Sequence, residues 1–276
     1  MNKPGTLRAA LAASLLGLGA WHAGTAVAAQ PIIAGSITNS PPMIAYADDG
    51  KTLKGVIVDL AAAMNKHLPA PIEFKPEAFP NLFPAMQSHQ IDVAFTMMND
   101  TAQREKLVDF VDFFNLGTKL LVRKGNPEHV TDLHSLCGKT VSTVQGSIQI
   151  ELVKQADGWC AAHGKPAVTN MQYAQPSDAR MQVQIGRVAA FFGNSPVMVY
   201  LAKTAGGGKL FDVAGPEYQQ VPLGIAVPKD KPQLRDELRK ALQATIDDGS
   251  YLKVLSKYGV QGGAVKSAAV NAGAKI

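Results

Sequence analysis

The chain predicts an α/β protein of two similar lobes, each a mostly parallel sheet flanked by helices, joined by two hinge strands. Three observations predict it. Short apolar runs alternate with helical patterns, as parallel-sheet architecture requires. The alternation restarts after Gly125-Asn126-Pro127, so two such units follow one another. The helical stretch near the C-terminus needs a surface to cover, and the first unit has too few helices of its own. The chain is therefore expected to return to its first unit.

In order, Ile32 to Ala34 opens a strand, and Val56 to Leu68 carries Ile57, Leu60, Ala61, Met64 and Leu68 on one helical face. Ile72 to Phe74 is a short strand, Pro80 to Ser88 a helix and Asp92 to Phe95 a buried strand. Val108 to Phe114 and Thr118 to Val122 read as extended. In the second unit, strands are expected at Thr140 to Val144, Val168 to Tyr173 and Val188 to Phe192. Helices are expected at Ser147 to Gln155, Ser177 to Ile185 and Ser195 to Thr204. Gly206 to Gly208 turns the chain, and Leu210 to Val213 and Val221 to Val227 are extended. Helices follow from Pro232 to Asp248 and from Tyr251 to Tyr258, separated by Gly249. This divides the chain into lobe 1 at 29–115 and 222–260, lobe 2 at 116–221, and a flexible Gly/Ala/Ser/Lys-rich tail at 261–276. Ligands of open α/β sheets bind at the carboxyl ends of strands, so a cleft between facing lobes is the expected site.

Residues 1–28 read as a secretory signal peptide. Lys3 and Arg8 precede the apolar stretch Leu11 to Ala20, and Ala26-Val27-Ala28 offers the small-x-small pattern that signal peptidase cleaves. The stretch is too short to span a bilayer. No cysteine precedes Cys137, so a freely soluble periplasmic product is expected rather than a lipid-anchored one. The signal carries two of the 27 basic residues and none of the 22 acids, leaving 25 against 22 and a formal charge of +3. With no basic stripe interleaved with aromatics, a nucleic-acid partner is not expected. In an exported chain Cys137 and Cys160 most simply form a disulfide. Its short loop would stabilise the fold by about 3 kcal/mol on the chain-entropy account. The six histidines lack metal spacing, and neither a phosphate-loop pattern nor G-x-S-x-G is present. No metal, cofactor or catalytic residue is expected.

Three stretches carry a resemblance. The first is Ser40-Pro41-Pro42-Met43 with Gly50 to Leu60. The second is Leu82 to Met86 with Ile91-Asp92-Val93-Ala94-Phe95-Thr96-Met97-Met98-Asn99-Asp100-Thr101-Ala102-Gln103-Arg104 and Val108-Asp109-Phe110. The third is Gly138 to Val141 with Gln145-Gly146-Ser147, echoed by Gly186 to Ala190. Together they resemble the periplasmic solute-binding proteins for polar amino acids, solute-binding family 3, over essentially the whole mature chain. The resemblance implies a type II periplasmic binding protein-like fold. It also implies a non-catalytic, monomeric substrate-binding component of an ABC importer, which captures an amino acid or amino-acid-like carboxylate by lobe closure and docks on a membrane permease. An enzyme on the same fold, a periplasmic cyclohexadienyl or arogenate dehydratase, is the alternative.

Arg104 is the first candidate. A guanidinium fork matches a carboxylate in two parallel hydrogen bonds, and the resemblance gives the matching arginine this role toward the ligand α-carboxylate. Taken without the motif, Arg104 would read as a surface arginine of the Gln103-Arg104-Glu105-Lys106 cluster. Thr101 is its expected N-cap at the start of a helix. Thr96, Met97 and Asn99 follow a strand's carboxyl end, where short polar groups and backbone can hold a zwitterion. Ser147 and the Ile148 N–H stand at a helix start, which favours an anion or makes Ser147 an ordinary cap. Phe79 matches a family aromatic that packs on the ligand side chain, or is a core residue. Asn194 stands where the family usually has an aspartate that pairs with the ligand ammonium. Ile37 and Ser40 stand where acidic and aromatic residues are common. Asp178 is an acid the motifs do not place.

Overall fold

A computed structural model of the chain describes Met1 and residues 30–273. The expected signal peptide lies, Met1 apart, outside the described residues. Among the described residues no helix is long and apolar enough to cross a membrane.

β1 (Ile32–Ser36), β2 (Asn39–Ser40), β3 (Ile44–Tyr46) and β4 (Leu53–Lys54) open the chain. α1 (Val56–Met64) follows, burying Val56, Ile57, Leu60, Ala61 and Met64 at helical spacing. Gly55 sets its entry angle: its φ is 133°, and a Cβ there would sit 2.5 Å from the Met43 carbonyl oxygen. No other residue type fits. β5 (Ile72–Pro76), α2 (Leu82–Gln87) and β6 (Val93–Ala94) complete the first half-lobe. β1 pairs in parallel with β5 and with β6.

The chain then leaves along β7 (Val108–Arg123), sixteen residues without a break. The second lobe is built from β8 (Thr140–Val144), α3 (Gln149–Ala162), β9 (Thr169–Tyr173), α4 (Pro176–Gln184), β10 (Ala190–Asn194) and α5 (Ser195–Thr204). β8 pairs in parallel with β9 and with β10. The return path is β11 (Phe211–Pro228), followed by α6 (Pro232–Asp247), α7 (Ser250–Lys257) and β12 (Ala269–Val270). The sheet order is β5-β1-β6-β11-β7-β10-β8-β9. Three outer strands in each lobe run parallel, and the two long central strands are antiparallel to their neighbours and to each other. β7 and β11 are thus the two strands that cross between the lobes. α6 and α7 pack on α1, back on the first lobe.

Each central strand is one element where the sequence pattern shows two extended pieces. Asn115-Leu116-Gly117 and Gly215-Pro216-Glu217 interrupt the apolar alternation, yet the ladder runs through with register shifts between Ala214 and Val221. The expected flexible tail is corrected over its described part. β12 pairs antiparallel with β7, Ala269 opposite Asp112 and Val270 opposite Val111. The Asn271 side chain accepts from the Phe110 N–H at 2.7 Å and donates to Asp109 at 3.0 Å. β7 offers an unpaired edge there, and edge pairing is a backbone interaction that side-chain composition does not announce.

Cys137 and Cys160 are paired, with Cα atoms 5.6 Å apart, and tie the loop before β8 to the end of α3. Cys160 is fully buried in the second lobe's own apolar cluster, with Leu136, Val141, Leu152 and Ala156. The larger cluster fills the first lobe and continues through Phe79 and Met97 to Phe191, Val197 and Met198 of the second.

Candidate functional site

Between the lobes lies a narrow cleft with a cavity volume of about 50 Å³. Its first-lobe wall includes Ile37, Ser40, Phe79, Met97 and Asn99; its second-lobe wall includes Ser147, Gln149, Arg180, Phe192, Asn194 and Met198. The strand ends place these groups: Met97 and Asn99 follow β6, Asn194 ends β10, and Ser147 lies between β8 and α3. Most of the lining is apolar or aromatic, and no Asp, Glu or His is among it.

Arg104 stands beside this cleft, at its junction with a groove it shares with Thr101, Ser147 and Ile148. The expected helix at Arg104 is a single 3-10 turn, Arg104–Lys106, and Thr101 Oγ1 accepts from the Arg104 N–H at 3.3 Å. The Arg104 guanidinium is buried. Its Nη1 donates to the Asn99 carbonyl and its Nη2 to the Gly146 carbonyl, each at 2.8 Å. The second bond crosses from one lobe to the other. Its Cζ lies 5.5 Å from the centroid of the Phe79 ring, a cation–π contact. Burial pulls the guanidinium down to about 10, and Asp100 partly opposes that. The group is charged at neutral pH, yet among the described residues it makes no ion pair. Buried guanidinium without an acid is costly.

The expected residues divide. Phe79, Met97, Asn99, Ser147 and Asn194 line the cleft. Arg104, Ile148 and again Ser147 line the adjoining groove. Thr96 lines neither; it is fully buried and its Oγ1 has no protein partner among the described residues. Asn99 Nδ2 and Ser147 Oγ are likewise buried without protein partners there. Ser147 is therefore not the side-chain cap of α3, which begins at Gln149. Asp178 is exposed on α4 and does not enter the cleft.

Two residues escaped the sequence reading. Gln149 is buried, and its Nε2 donates to Thr118 Oγ1 at 3.1 Å and to Asn194 Oδ1 at 3.0 Å. Arg180 lines the cleft from α4, and its Nη1 donates to the Asn39 carbonyl at 3.3 Å, again across the lobes. Its signal was available: Pro176, Ala179 and Val183 are the buried face of α4, and Arg180 follows Pro176 by four residues.

A two-lobed clamp with its polar groups at strand ends is the geometry of a solute trap. The model of the bacterial extracellular solute-binding proteins, family 3, matches residues 32–261. The chain belongs to that family. Among its relatives, the Arginine-binding protein ArgT of Corynebacterium glutamicum is 27% identical over 243 residues, covering 87% of this chain and 78% of that protein. A putative ABC transporter arginine-binding protein of Escherichia coli is 27% identical, covering 85% of this chain and 93% of that one. Of solved structures, an ancestral arginine-binding protein bound to arginine is 31% identical, with a TM-score of 0.75, covering 84% of this chain and 99% of that one. An ancestral amino acid-binding protein described as a precursor of cyclohexadienyl dehydratase is more distant, at 26% identity and a TM-score of 0.69. The chain is a solute-binding protein of the ABC-importer type and not an enzyme.

Proposed function

We propose that this solute-binding protein works in the periplasm, where it captures an amino acid or amino-acid-like carboxylate and delivers it to the permease of an ABC importer. The lobes, 29–115 with 222–260 and 116–221, close on the ligand about β7 and β11, and Arg104 is the group that holds the carboxylate. The observation that carries this reading is the buried Arg104 guanidinium, which bonds two backbone carbonyls at the lobe junction and no acid. A carboxylate there supplies the missing counter-charge through charge-assisted bonds. Phe79 packs beside it, and Met97, Asn99, Ser147 and Asn194 complete the walls. The Ile148 N–H, in the groove beside Arg104, is a further donor for the same anion, and Thr96, buried with its hydroxyl free of protein partners among the described residues, completes the ligand-binding set. The relatives named for arginine favour an amino acid or a close derivative as the class to test first. The dehydratase reading finds no general acid in the cleft lining, which among the described residues contains no Asp, Glu or His.

Calorimetric titration with amino acids and simple carboxylates tests this. A carboxylate that binds the native chain is expected to lose about 2–5 kcal/mol of affinity in Arg104→Ala, as truncation of one partner of a buried charge pair does. Equal affinity in the two chains contradicts the assignment. We further propose that the mature chain is a monomer starting at Ala29 with Cys137 and Cys160 oxidised. An intact mass of the exported protein, before and after reduction, reads both the cleavage site and the bond.

A further inference from the structure

A second arginine lines the cleft itself, close to the groove that holds Arg104. Arg180 comes from the opposite lobe, and it too donates to a backbone carbonyl across the interface, that of Asn39. Among the described residues it forms no ion pair. Desolvation bears on it as on Arg104, lowering its pKa. Each lobe thus brings one guanidinium to the junction, Arg180 in the cleft wall and Arg104 in the adjoining groove, which Glu151 also lines; among the described residues no acid lines the cleft itself. Asp100 acts on Arg104 without forming an ion pair with it, and burial together with Asp112 and Glu105 raises the pKa of Asp100 itself.

The place for a ligand cation is filled differently. Asn194 is neutral, and its Oδ1 already accepts from Gln149 Nε2. Asp178 is exposed outside the cleft. Ile37 and Ser40 complete a first-lobe wall without an acid. A cationic side chain entering here would meet Arg180 in the wall, with Arg104 beside the cleft and no acid in the lining among the described residues, and like charges brought together in a desolvated site reject the ligand that carries them. Much of the cleft wall is apolar, with Phe79, Met97, Phe191, Phe192 and Met198 in it.

We infer that the ligand is acidic at both ends and apolar between them, one acidic group held by Arg104 and the other by Arg180. This rests on the carrier reading and narrows it: the solute is a dicarboxylate, an N-acylated acidic amino acid included, and not arginine. Arg180 is the residue that sets the specificity.

The test is calorimetry on the purified mature chain with unbranched dicarboxylates from succinate to sebacate, the monocarboxylates of matching length, and L-arginine. At least one dicarboxylate is expected to bind about tenfold or more tightly than its matched monocarboxylate, the worth of one added charge-assisted pair. Arg180→Gln is expected to abolish that preference. Arg180→Lys, which keeps the charge, is expected to retain part of it. Arg104→Gln is expected to weaken both ligand series. Binding of L-arginine as tight as any dicarboxylate, lost in Arg104→Gln, overturns this inference and leaves the carrier reading standing. So does a second-carboxylate preference unchanged in Arg180→Gln. Failure of every acid and of L-arginine to bind a chain that melts cooperatively overturns both readings.

Discussion

Asn194 marks where this chain departs from the pattern its family resemblance implies. An asparagine whose oxygen is engaged by Gln149 offers a ligand ammonium no charge, and the network through Thr118 holds it in that orientation. Restoring the acid is a direct test. Asn194→Asp is expected to improve binding of a free α-amino acid relative to its N-acetyl form by about 1–3 kcal/mol, the scale of a buried charge pair, in paired titrations. No change in the ratio would mean that Asn194 does not face the ammonium position. Arg104 was legible in the sequence because it sits inside a motif of fixed spacing. Arg180 was not, because α4 is polar overall and an arginine in such a helix is usually solvated. Only its register with Pro176, Ala179 and Val183 betrays it.

Elements were legible where apolar periodicity is strong, and less so where backbone pairing holds them. α1, α5 and the parallel strands fall close to their expected positions. β7 and β11 were read in pieces because Asn115 to Gly117 and Gly215 to Glu217 break the alternation that their ladder ignores. The crossing point is tight. A Cβ on Gly117 would sit 2.4 Å from Glu217 Cγ and 2.8 Å from the Tyr218 carbonyl oxygen, and the Gly117 N–H donates to Glu217 Oε1 at 3.0 Å. Gly117→Ala is therefore expected to destabilise the chain by about 1–3 kcal/mol, as forced repacking does, in denaturant melts. A melt unchanged within error would place the hinge strands further apart than described.

β12 closes over an acidic group. The Ala272 N–H donates to Asp112 Oδ2 and the Gly273 N–H to Glu105 Oε1, each at 3.0 Å, with Asp100 buried beside them. Burial, with the neighbouring carboxylates, raises Asp100 well above the ordinary carboxylate range, and burial raises Asp112 too. The folded chain then holds protons that the unfolded chain, with an ordinary aspartate pKa of 3.8, has released. The contribution of these groups is complete below that value and is lost as pH rises through their raised folded pKa values. The melting temperature of the native chain is expected to fall over that rise more steeply than that of Asp100→Asn. Parallel slopes would contradict the burial.

At the scale of the molecule, the two lobes, the return of the chain and the cleft followed from the repeated strand–helix alternation and the three motif stretches. The ligand's charge did not, since it depends on which side chains of both lobes meet across the cleft. Both observed cross-lobe arginine bonds, Arg104 to Gly146 and Arg180 to Asn39, join residues far apart in sequence. A closed clamp held by two guanidinium groups, with no acid in the cleft lining among the described residues, makes closure depend on an anionic guest. A fluorescence-transfer distance between dyes on Lys51→Cys and Lys165→Cys, both at exposed positions on opposite lobes, reads that closure. Closure on an anionic guest requires that a saturating acidic ligand shorten the distance in the native background and leave it unchanged when Arg104 and Arg180 are both replaced by Ala. A distance that stays constant while calorimetry records binding, or one that shortens equally without the arginines, would contradict it.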